Sequence, residues 1–116
     1  MSLEQYRITH LLRQQLEARA EDIALEGFEI AAPWDKVSWN EFDRISAAIA
    51  GILIANGFEV QDRAVILSHN CPQWTCADVG VVRARGVVVP VYPTSTLKQA
   101  AYIINDAGAK LLFVDN

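Results

Sequence analysis

The sequence has 116 residues, room for one domain with a modest core. Hydrophobic residues make up 52% and charged residues 21%, which excludes a disordered chain. The net charge is −4 with lysines and arginines scattered, which excludes a basic nucleic-acid face, and no run approaches the ~18 apolar residues of a membrane span.

Leu3 to Arg19 reads as a helix. Ser2 and Gln5 fit a capping box, and Ile8, Leu11, Leu12 and Leu16 form one apolar stripe. His10 lies on this helix as a solvated residue. Acidic Glu4 and the lack of an apolar leader predict a cytoplasmic protein. Ile23 to Ile30 alternates loosely, Pro33 to Lys36 reads as a turn, and Val37 to Trp39 as a strand end, together a small hairpin. A second capping box, Ser38 with Glu41, starts a helix at Trp39. Its predicted buried stripe is Phe42, Ile45, Ile49, Ile52 and Leu53, and Gly57 supplies the left-handed cap.

Arg63 to Leu67 is a short apolar strand. Cys71-Pro72 then opens a helix, since proline lacks only an amide hydrogen that the first turn leaves unpaired. Trp74, Ala77, Val81 and Val82 form its stripe. Gly80 predicts a close approach by a neighbour, and Gly86 closes the helix. Cys71 and Cys76 lie on this one segment with no second pair for a metal, which predicts free thiols in a reducing compartment. Val87 to Val91 is apolar on both faces and reads as a buried strand, whose pairing weakens at Pro90. A third capping box, Thr96 with Gln99, starts a helix with Leu97, Ala100, Ala101 and Ile104 inward and Gly108 as its cap. Leu111 to Val114 is a last strand.

The expected fold is α/β: a parallel sheet flanked by helices in a three-layer arrangement, running β-α-β-α-β from Arg63, preceded by a helix, a small hairpin and a second helix. The chain reads as a single domain that is one part of a larger fold. In such sheets ligands bind beyond the carboxyl ends of the strands. These tips carry Ser68-His69-Asn70, Tyr92-Pro93-Thr94-Ser95 and Asp115-Asn116. His69, Tyr92, Thr94 and Ser95 are therefore the candidate ligand-facing residues. Three of them have a structural alternative: His69 as a loop histidine, Thr94 and Ser95 as turn residues beside the Thr96 cap. Asp78, about two turns down the next helix, is too far to orient His69 locally. The glycines are isolated, so no phosphate loop exists, and no nucleophile elbow, HExxH or CxxC is present. The residues alone identify no catalytic group and no metal site.

Two stretches carry a resemblance. VSWNEFDRISAAIAGILIANGFEVQDRAVILSHNCPQW and GVVVPVYPTSTLKQAAYIINDAGAKLLFVD resemble the N-terminal region of the AMP-forming acyl-CoA synthetases, within the adenylate-forming superfamily. Tyr92-Pro93-Thr94 is most similar to the long-chain fatty acid branch. The resemblance implies a fragment of an enzyme that joins a fatty acid to coenzyme A through an acyl-adenylate, using ATP and magnesium and releasing AMP and pyrophosphate. It implies a cytoplasmic enzyme, peripheral to the membrane at most. The family's phosphate loop, adenine-binding motifs and C-terminal lysine have no counterpart here, so no catalytic residue carries over and the piece by itself is expected to be inactive scaffold. The alternatives are a fragment of another acyl- or aryl-acid adenylating enzyme, a non-catalytic α/β interaction module, and a small flavodoxin-like nucleotide binder. An unpaired apolar sheet edge predicts self-association.

Overall fold

The computed structural model describes residues 3–115. A 3-10 turn, Glu4–Tyr6, precedes helix α1, Ile8–Arg19. The single predicted helix from Leu3 is thus broken at Arg7, whose extended ψ of 140° separates the two pieces. The proposed Ser2 cap lies outside the described residues. Only Leu12 of the apolar stripe is buried, while Ile8 and Leu11 stay exposed.

Strands β1, Ile23–Glu26, and β2, Lys36–Ser38, pair antiparallel as the expected hairpin, with a bulge between Ile23 and Leu25. Trp39 belongs to the helix that follows rather than to the strand. That helix, α2 (Trp39–Ala55), is capped by Ser38, whose Oγ accepts the Glu41 amide at 3.1 Å. Its buried face is Phe42, Ser46, Ala50 and Leu53. Ile52, expected inside, is 62% exposed. The cause is the contact with helix α3, Pro72–Arg83. A methyl group at Gly80 would lie 2.6 Å from Ile49 Cγ2 and 3.3 Å from the Ser46 carbonyl oxygen. The close approach read from Gly80 is therefore present, with Ile49 seated directly on the glycine and Ser46 beside it. Arg83 fastens it. Its Nη1 donates to Asp43 Oδ1 at 2.8 Å and to the fully buried Ser46 Oγ at 3.1 Å.

Gly86 does not close α3. The left-handed residue is Arg85, with φ 64°, and Gly86 is small because the Phe58 ring packs where its Cβ would stand. Strands β3 (Arg63–Leu67), β4 (Val87–Val91) and β5 (Leu111–Val114) form a parallel sheet in the order β4-β3-β5. The buried strand is therefore β3, with Ala64, Val65 and Ile66 at 1% exposure or less. The sequence reading of β4 as buried is corrected: β4 is an edge, and Val87 is 39% exposed. Its valines are apolar on both faces because helices cover both faces, which sets no rule about its outer side. Pairing also runs on past Pro90 to Val91, as a proline on an edge strand permits.

Helix α4, Leu97–Ala107, has the complete capping box between Thr96 and Gln99 and ends at left-handed Gly108. Its buried residue is Ala100, with Ile103 and Ile104 half-buried; Leu97, expected inward, is 88% exposed. The strands' alternation sorts the helices. Ala64, Val88, Leu111 and Phe113 meet α2 and α3, whereas Val65, Leu67, Val89 and Val91 meet α4. The result is helix, sheet, helix.

Candidate functional site

β3 leads into α3 on one face, and β4 leads into α4 on the other. The chain thus parts in opposite directions at the carboxyl ends of these neighbouring strands. Such a switch point opens a crevice that backbone does not fill. Here it is a cavity of about 250 Å³ lined by Ser68, Asn70, Trp74, Val91, Tyr92 and Pro93, together with Pro90. A second cavity, of about 390 Å³, lies on the other side of the β3 tip. Ile66, Cys71, Ala77 and Phe113 line it with Asp115, and Ser68 and Trp74 border both cavities.

Asp115 ties the tip of edge strand β5 to the tip of central strand β3. Its Oδ2 accepts from the His69 backbone amide at 2.9 Å, from His69 Nδ1 at 3.1 Å and from Ser68 Oγ at 3.1 Å. The His69 amide, then the His69 ring and Ser68, hold the Asp115 carboxyl below the usual carboxylate range. A serine, a histidine and an aspartate meet here, but both donors point at the carboxylate. A nucleophilic triad needs the imidazole between the other two, to take the hydroxyl proton. This cluster is a clip between β3 and β5, and its His69 ring is 76% exposed.

The other sequence candidates separate. Tyr92, 81% exposed, borders the switch-point crevice and also a cavity of about 530 Å³ lined with Ser95, Lys98, Gln99 and Tyr102. Thr94 is exposed and lines neither. Thr96 caps α4: its Oγ1 accepts the Gln99 amide at 3.1 Å and its amide donates to Gln99 Oε1 at 2.9 Å. Asp78 takes no part with His69, and burial raises its pKa. Sequence reasoning missed Asp115 as the partner of His69. No local signal joins the two: β3 and β5 pair in parallel with Val114 opposite Leu67, so the residues that follow meet at the tips. It also missed Trp74, read as core, because helical periodicity does not show which end of a stripe opens into a cavity.

Cys76 is buried, which pushes its thiol up to about 11, with nearby Cys71 adding to the shift. Among the described residues no three His, Cys, Asp or Glu side chains come together as metal ligands, and no helix is long and apolar enough to cross a membrane.

The clip has a pH signature. The folded Asp115 pKa is depressed, so its stabilisation is present above the unfolded value of ~3.9 and is lost as pH falls through the lower folded value. Asp115→Asn is expected to lower the urea midpoint at pH 7, with the gap from wild type closing as pH falls below 4. A gap that stays constant down to pH 2 contradicts the assignment.

A family model described as AMP-binding enzyme matches residues 12–116. The rat long-chain-fatty-acid–CoA ligase ACSBG1 is 32% identical over 89 residues, which are 77% of this chain and 12% of that protein. Its human counterpart is 28% identical over 110 residues, 95% of this chain and 15% of that protein. Among solved structures, the Klebsiella oxytoca NpsA N-terminal subdomain in complex with 3-hydroxyanthranilyl-AMSN has a TM-score of 0.80 at 20% identity, over 94% of this chain and 27% of that one. The fatty acid AMP ligase from Legionella pneumophila has a TM-score of 0.78 at 20% identity, over 90% of this chain and 18% of that one. At that identity the structural likeness speaks for the fold alone. The chain spans 12–15% of the length of these curated ligases.

Proposed function

The chain belongs to the AMP-binding enzymes, and from that premise we propose that it is part of the N-terminal subdomain of a ligase joining a long-chain fatty acid to coenzyme A. The similarity to the rat long-chain-fatty-acid–CoA ligase over 77% of the chain carries this reading. The reaction is adenylation of the fatty carboxylate by ATP with loss of pyrophosphate, then transfer of the acyl group to the thiol of coenzyme A with loss of AMP. Fatty acid, ATP, magnesium and coenzyme A are the partners of the whole enzyme, which works in the cytoplasm, at most peripheral to a membrane.

The crevice at the strand tips does not fit magnesium or a triphosphate. The switch-point crevice has no charged side chain in its lining, and the carboxylate beside it, Asp115, repels phosphate oxygens. The chain's part is scaffold. It holds β3 at the centre of a sheet and sets the positions of the strand tips. Of the tip residues, His69 is engaged in the clip, while Tyr92 and Ser95 remain free to face a ligand or an adjoining part of the enzyme. Thr94 stands exposed beside them.

The 116-residue chain, given ATP, magnesium, palmitate and labelled pyrophosphate, is expected to exchange no label into ATP above a protein-free control. Exchange above that control overturns the scaffold reading.

A further inference from the structure

We draw no further inference here: the strongest candidate, the cavity of about 520 Å³ that Arg7, Arg83 and Arg85 line between the start of α1 and the end of α3, has Arg83 held by Asp43 and Arg7 beside Glu4, and nothing in the structure shows what covers it.

Discussion

Gly80→Val is expected to destabilise the chain by about 3 kcal/mol, read as a lower urea midpoint with an unchanged slope. The added Cβ alone would stand 2.8 Å from Ile49 Cβ and 2.6 Å from its Cγ2. These are atoms at the root of a packed side chain, so the neighbour cannot swing away. The helices must separate instead, which stretches the Arg83 bonds to Asp43 and Ser46 on the same contact. Gly80→Ala sharpens the point. Alanine gains roughly 1 kcal/mol over glycine in a helix interior, so a tolerant site would be stabilised. Here the collision wins, and a loss is expected. Combining Gly80→Ala with Ile49→Ala removes Cγ2 and should give a double loss smaller than the sum of the singles. A stabilised Gly80→Ala variant contradicts the packing described.

Ile66→Ala is expected to cost about 3 kcal/mol, within the range for emptying a buried aliphatic site. Ile66 is 1% exposed on the central strand. Its side chain also walls the cavity beside Asp115, so the vacated space joins that cavity. Ile52→Ala serves as the contrast. Ile52 is 62% exposed, and a change within about 0.5 kcal/mol is expected. Equal losses at the two positions would contradict the orientation of α2.

That contrast also marks where the sequence could be read and where it could not. Helix α2 and its Ser38 cap are legible because a capping serine and an apolar run are local signals. The turn of α2 about its axis is not, because Ile52 fits a 3.6-residue stripe as well as Ser46 does. What decides between them is Gly80, which lies on another helix. The order of alternating strands and helices was likewise local, while the place of β3 between β4 and β5 depends on the whole sheet. β4 misled for the same reason: Val87-Val88-Val89 reports helices on both faces, not a neighbour on both edges. At the site, the strand tips were found from topology, but the His69–Asp115 contact joins residues 46 apart and no local pattern holds it. The family resemblance was stronger than either, because it draws on the ensemble of positions from Val37 onward.

The central position of β3 bears on how the chain is made. Both strands that cover its edges lie later in the sequence, and the tip of β3 meets the end of β5 only across 47 residues. At 5–20 residues per second, a ribosome leaves the most buried strand of the sheet without its second neighbour for roughly 2–9 s. Until then Ala64, Val65 and Ile66 can lean only on β4 and on helices already synthesised. This interval is when a nascent chain is open to wrong pairing, and codons that slow translation between β4 and β5 would lengthen it.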